Sequence, residues 1–371
     1  MAADIRVEGS ATIYRLYDIG YAINLDRAAE TLGEHTRGRV LPGRLEARAI
    51  QIRNPPLFVS LGSFEIALGN EARQATLAAR LFDFGVCSLQ LIIPIAPGTS
   101  PSSLAEFGRA LDAATSPSAL LDEEMRSLLE RISGSVERPA VAPLFEEYKV
   151  FRIDRILDGA GEKVPATAVF TEEQLVALLV GERRRLSQTA LLELIPYRFS
   201  YYEDDLVVLT WESALVVEPR VEDHDVEYVL EFANAQLLEL RLYDLQLDAE
   251  LPALYDRAEA ARARRHPVLA RRFRAVLSEL QTRVADVTET VERVENALKV
   301  TNDVYLARIY VSVLELFREQ AWRRGIERKL AILRETYAML NAESQAARTE
   351  LLEVAVVVLI IAELVVAFWH G

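Results

Sequence analysis

From Pro267 onward the apolar positions fall at alternating gaps of four and three: Phe273, Leu277, Leu280, Val284, Val287, Val291, Val294 and Leu298. That spacing is the seam of a coiled coil, with the intervening Arg, Glu, Asp, Gln and Thr on a solvated face. A second arm opens with Leu306, Ile309, Val313 and Leu316 and resumes out of step at Ile326, Leu330, Leu333, Tyr337 and Leu340. The slip between Gln320 and Gly325 predicts a bend or a change of register. Residues 267–349 thus read as an antiparallel helical hairpin, a stalk, and 350–371 as its apolar continuation. Between Leu351 and Trp369 only Glu353 and Glu363 are polar. About nineteen helical residues reach roughly 28 Å, the thickness of a bilayer core. Arg323, Arg324, Arg328, Lys329, Arg334 and Arg348 precede this run and no Lys or Arg follows it. The pattern predicts a C-terminal transmembrane helix, single-pass in the inner membrane, with the bulk of the chain facing the cytoplasm. The alternative is a hydrophobic helix buried in a soluble oligomer. A lone carboxylate at Glu363 needs a partner, which predicts tail-to-tail packing of a homo-oligomer, with Glu353, Glu363 and Trp369 at the membrane or subunit contact.

Ahead of the stalk the period changes. Residues 11–18 alternate as a strand does, and Asn24 caps a short helix with Leu25, Ala28, Ala29 and Leu32 on one face. Strands are expected near 48–52, at 57–61, 64–68, 79–84 and 87–95, then a helix over 102–114. The order recurs: a strand at 148–156 and a helix begun by Thr171, with Gln174 completing a capping box. A hairpin of 191–202 with 206–217, turned by Glu203-Asp204-Asp205, follows. A long helix then runs from Val226 towards Arg265. Both halves read strand, helix, two strands, helix. The expected fold class is α+β: two ferredoxin-like repeats, 1–115 and 148–266, forming one globule and joined by a Ser-, Pro- and acid-rich linker at 116–147.

Acids outnumber bases, 56 to 42, so the net charge of −14 argues against nucleic-acid binding by the chain as a whole. One cysteine, Cys87, excludes an internal disulfide, and the four histidines show no ligand spacing. The N-terminus lacks the apolar region of a secretory signal. The residues form no catalytic constellation, and no cofactor or metal is expected. The acids at 203–205 suit a turn, and Glu222-Asp223-His224-Asp225 suits a helix N-terminus. Against the acidic background Arg262, Arg264, Arg265, Arg271, Arg272 and Arg274 form a compact basic junction. It reads as a helix end, or as a contact for anionic lipid headgroups or RNA phosphates.

The stretch from Asn296 to Arg308, with Leu298, Lys299, Val300, Thr301, Asp303, Tyr305 and Arg308, resembles the turn between the hairpin arms in the domain-of-unknown-function family of the required-for-meiotic-nuclear-division proteins. Arg328-Lys329-Leu330, Tyr337–Leu340, and Glu353 followed by Glu363 are similar to it as well, and Tyr202–Val217 resembles its central hairpin. The resemblance implies a bacterial-type member: a membrane-attached, self-associating protein without known catalysis, in a family linked to organellar translation. The function expected is a non-enzymatic, tail-anchored scaffold or tether whose partners are itself and the lipid bilayer. The rivals are an enzyme with its site between the two repeats and a soluble coiled-coil assembly protein.

Overall fold

Most of the alternating stretches of the first 220 residues pair into one sheet. In the computed structural model the described residues are 5–33, 51–52, 54–69, 71–182, 184–263, 298–299 and 303–370. The strands are β1 (Arg6–Asp18), β2 (Ala22–Ile23), β3 (Gln51–Ile52), β4 (Leu57–Leu68), β5 (Glu71–Leu81), β6 (Val86–Pro94), β7 (Val136–Glu137), β8 (Phe145–Leu157), β9 (Tyr197–Phe199), β10 (Leu206–Leu209), β11 (Ser213–Val217) and β12 (Leu298–Lys299). The helices are α1 (Leu25–Leu32), α2 (Pro101–Asp112), α3 (Ser116–Ile132), α4 (Ala166–Val169), α5 (Glu172–Leu179), α6 (Gln188–Leu194), α7 (Asp225–Ala263), α8 (Val304–Leu316) and α9 (Glu319–His370). Two compact units result, Met1–Leu242 with Arg293–Gln320, and Tyr243–Glu292 with Ala321–Gly371.

The first unit is built on an eight-stranded mixed sheet in the order β4-β5-β6-β1-β8-β11-β10-β9. This corrects the expectation of two ferredoxin-like repeats. The central strands β1 and β8 pair antiparallel along their length, Tyr14 opposite Tyr148, and fuse the halves into one sheet. The halves also differ in hand of pairing: β6 meets β1 antiparallel, whereas β11 meets β8 parallel. Residues 116–132, in the stretch read as a connection, form α3, and its Leu121, Met125, Leu128 and Ile132 are buried. The expected hairpin of 191–202 with 206–217 is corrected too. Ser187 caps α6 by accepting from Ala190 N at 3.2 Å, only Tyr197–Phe199 remain strand, and 206–217 folds on itself as β10 and β11. Hydroxyls close that turn, Thr210 Oγ1 lying 2.9 Å from Ser213 Oγ.

One face of the sheet and helices α1 to α5 share an apolar core that holds Ile13, Leu89, Phe151, Leu128 and Leu175. Asn24 caps α1 by accepting from Arg27 N at 3.0 Å, and the Thr171–Gln174 capping box of α5 is present in both directions. The opposite face carries α7 as far as Leu242 and α8, where Phe82 and Phe84 pack on Phe232 and Tyr148 packs on Phe317.

In the second unit, Leu247 of α7 and Ile326, Leu330 and Leu333 of α9 are buried. Lys329 Nζ donates to Asp244 Oδ1 at 2.7 Å and lies 2.6 Å from Asp248 Oδ1. The register slip read between Gln320 and Gly325 corresponds to a break between α8 and α9 just upstream, where Arg318 has φ 52°. The first arm of the expected stalk, Phe273–Val294, lies outside the described residues.

Among the described residues no helix is long and apolar enough to cross a membrane. The transmembrane anchor expected at 350–371, and with it the single-pass location in the inner membrane, is corrected accordingly. Residues 350–370 close the 52-residue α9. Its apolar stretch is interrupted by the carboxylates of Glu353 and Glu363, groups that are costly in hydrocarbon.

Candidate functional site

Asp225 and Glu227 in its first turn suit the positive end of the α7 dipole. From Val226 to Leu240 every residue of the helix is buried, so its polar side chains have to be satisfied inside the fold. Glu227, Glu231 and Glu239 are spaced four and eight apart and share one face of the helix. Glu231 meets two strands of the sheet. Gln90 Nε2 donates to its Oε1 at 2.8 Å, and Arg80 Nη1 donates to its Oε2. Arg80 also lies over the ring of Tyr228, 4.8 Å from its centroid.

One turn earlier, Glu227 pairs with Arg152 of β8. The same guanidinium donates to Asp154 Oδ1 at 2.7 Å, to the Asp223 carbonyl at 2.7 Å and to the Arg220 carbonyl at 3.0 Å. It therefore ties the loop ahead of α7 to the sheet. Burial alone would raise the Glu227 pKa, but His224, with Nδ1 3.1 Å away, and Arg152 together hold it below the usual carboxylate range. Asp18 is the opposite case. Burial pushes its pKa up to about 6, against the opposing effects of the Gly20 N–H, which donates to it at 3.2 Å, and of Glu239. The Tyr14 hydroxyl is driven well above its ordinary value by burial, then by Glu231 and Glu227. Arg241 donates to Glu146 at the far end of this polar seam. The pairs Arg80–Glu231, Arg152–Glu227 and Arg241–Glu146 join α7 to β5 and β8, so the seam can lock α7 onto the sheet in one register. Among the described residues no cluster of three or more His, Cys, Asp or Glu is placed to hold a metal ion.

An open groove of the first unit lies at the sheet's β9 edge. It measures about 630 Å³ and runs between β9 and α8, lined by Tyr197, Arg198 and Phe199 on one side and by Val304, Arg308 and Val311 on the other. Tyr197 and Phe199 have near-parallel rings, with centroids 6.4 Å apart and planes 8° apart. The Arg308 guanidinium lies 5.8 Å from the Phe199 centroid, and the Tyr197 hydroxyl donates to Glu315 Oε2 at 2.9 Å.

Several residues singled out from the sequence gather here. Asp303 caps α8, accepting from Tyr305 N at 2.8 Å and Leu306 N at 3.1 Å. Tyr305 packs on Tyr201, and Arg308 lines the groove. Leu298 and Lys299 form β12 and pair with β3. Arg328 and Lys329 belong to the other unit, Arg328 exposed and Lys329 held by its two aspartates. On α9, Glu353 is exposed and Trp369 is 87% exposed, and only the backbone of Glu363 is described. Arg262 falls in the last turn of α7, while Val300, Thr301, Arg264, Arg265, Arg271, Arg272 and Arg274 lie outside the described residues. Sequence reasoning missed Arg80, Arg152 and the three α7 glutamates. The signal for the glutamates was their spacing of four and eight in a largely apolar part of α7; the arginines are placed by long-range pairing alone.

Residues 8–224 match the family model described as "Uncharacterized protein MJ0711, N-terminal domain". Uncharacterized protein MJ0711 of Methanocaldococcus jannaschii is 21% identical over 193 residues, which cover 52% of this chain and 58% of that protein. This chain thus spans little more than half the length of that relative. No solved structure matches the chain. These findings overturn the resemblance to the required-for-meiotic-nuclear-division proteins. Apart from Tyr202–Val217, the residues that carried it lie beyond position 295, outside the matched stretch.

Proposed function

We propose, from the premise that the chain belongs to the family of the uncharacterized protein MJ0711 N-terminal domain, that it is a non-enzymatic scaffold that assembles with further copies of itself. The observation that carries this reading is the exposed apolar end of α9. Leu352, Val354, Val356, Val357, Val358, Leu359, Ile360, Ile361, Leu364, Val366 and Trp369 are each more than half exposed. Eleven such residues along one helix expose well over the few hundred Å² of contiguous apolar surface usual on a monomer. Apolar patches of this size mark association surfaces. A second copy fits because it brings an equally apolar helix at equal concentration, and closed symmetric assemblies are the common outcome of such self-complementarity. The locked ion pairs under α7 support the same reading, since their charges are spent on the fold. Light scattering of the full chain tests it. Assembly is expected, and its loss on truncation before Glu350; a full chain that stays monomeric would overturn the proposal.

A further inference from the structure

We infer that the groove between β9 and α8 binds an extended acidic peptide of another protein, which adds to β9 as a further strand. β9 is the last strand of the sheet and pairs only with β10 among the described residues. Residues of an antiparallel pair alternate in directing N–H and C=O at the partner. Part of the β9 backbone therefore faces the open side with donors and acceptors for an incoming strand. Across the groove, Val304, Arg308 and Val311 follow at gaps of four and three, so they form one stripe along α8. Val304 is 75% and Val311 59% exposed. A strand edge facing a helix across an apolar groove is the geometry by which peptides are captured through backbone pairing, with side-chain pockets adding selectivity.

The charge on the rim selects the peptide. Arg198 and Arg308 are both exposed and both line the groove. The acids beside the groove are engaged: Glu315 accepts from the Tyr197 hydroxyl, and Asp303 accepts from the first-turn amides of α8. Side chains of an added strand alternate between faces, so a peptide of alternating aliphatic and acidic residues would turn its aliphatic side chains towards Val304 and Val311 and its acids towards the face of Arg198, with Arg308 adding to the positive field. This inference stands apart from self-assembly, which uses α9.

The test is fluorescence anisotropy of the full chain with three labelled ten-residue peptides: alternating Val and Glu, alternating Val and Lys, and the Val–Glu peptide N-methylated at every second residue. The expected result is saturable binding of the first at or below about 1 mM, with the other two weaker by about tenfold or more, and the double variant Arg198→Glu, Arg308→Glu losing at least about tenfold for the first peptide. Arg198→Glu alone, at an exposed position, gives the same direction should the double variant unfold by circular dichroism. Equal binding of the acidic and basic peptides, full binding of the N-methylated one, or no saturation up to millimolar peptide would each overturn the inference. Binding that strengthens as the protein is diluted would place a second copy in the groove and overturn it as well.

Discussion

Replacing Arg152 by Met tests the claim that the polar seam locks α7 to the sheet. The Arg152 side chain is 5% exposed and that of Glu227 7%. Removing the guanidinium leaves Glu227 buried beside only a histidine, and breaking a buried pair from one side costs about 3–5 kcal/mol. The Arg220 and Asp223 carbonyls lose their donor as well, but both belong to a partly exposed loop where water can replace it. The expected loss is therefore about 4 kcal/mol. Lys at this position should recover only part, because a point charge cannot serve several acceptors as a planar fork does. The double variant Arg152→Met, Glu227→Leu leaves neither charge stranded and should return to within about 1 kcal/mol of the natural chain. Urea unfolding can be followed through Trp211, which packs on Phe317 in the first unit, with Trp322 and Trp369 replaced by Phe. The single variant should lower the midpoint by about 1–2 M. A loss below about 1 kcal/mol, or a double variant as unstable as the single one, would refute the reasoning.

Asp18 has a folded pKa of about 6 against an ordinary 3.8, so the native state holds the extra proton and stability falls as pH rises between those values. Asp18→Asn, which can still accept from Gly20 and donate to Glu239, should flatten stability between pH 4 and 6 and gain up to about 3 kcal/mol at pH 7; an unchanged pH profile would contradict the assignment. Gly85 has φ +100° and a Cβ there would lie 1.9 Å from the Gly20 carbonyl oxygen, so Gly85→Ala should cost more than about 2 kcal/mol in thermal unfolding. Lys329→Met removes the clamp on Asp244 and Asp248 and should speed amide hydrogen exchange across Ile326–Leu333 while leaving β1 and β8 protected.

Local signals in the sequence translated directly into structure. Asn24, Thr171 with Gln174, and Val226 each mark a helix start that is observed within a residue, because caps are satisfied by groups two or three residues away. Two signals were present but overridden by composition. Leu121, Met125, Leu128 and Ile132 are helically spaced within a Ser-, Pro- and acid-rich stretch, and Ser187 is a cap ahead of residues read as strand. The sheet order, the parallel β8–β11 pair and the partnership of Arg152 with Glu227 depend on contacts more than sixty residues apart, which no local period encodes. The groove has the same origin: Arg308 was singled out by its surroundings in sequence, but only the fold sets it over Phe199. The apolar run of the α9 tail and its one-sided arginines suggested a membrane span, but among the described residues no helix is long and apolar enough for one.

Sedimentation of the full chain beside a chain ending at residue 349 tests self-assembly through α9 most directly. The account predicts that the full chain sediments as a defined multiple of its 41.6 kDa mass, and that the shortened chain sediments as a folded monomer. A full chain that sediments at 41.6 kDa at every concentration, or a shortened chain that keeps the same assembly, would contradict it.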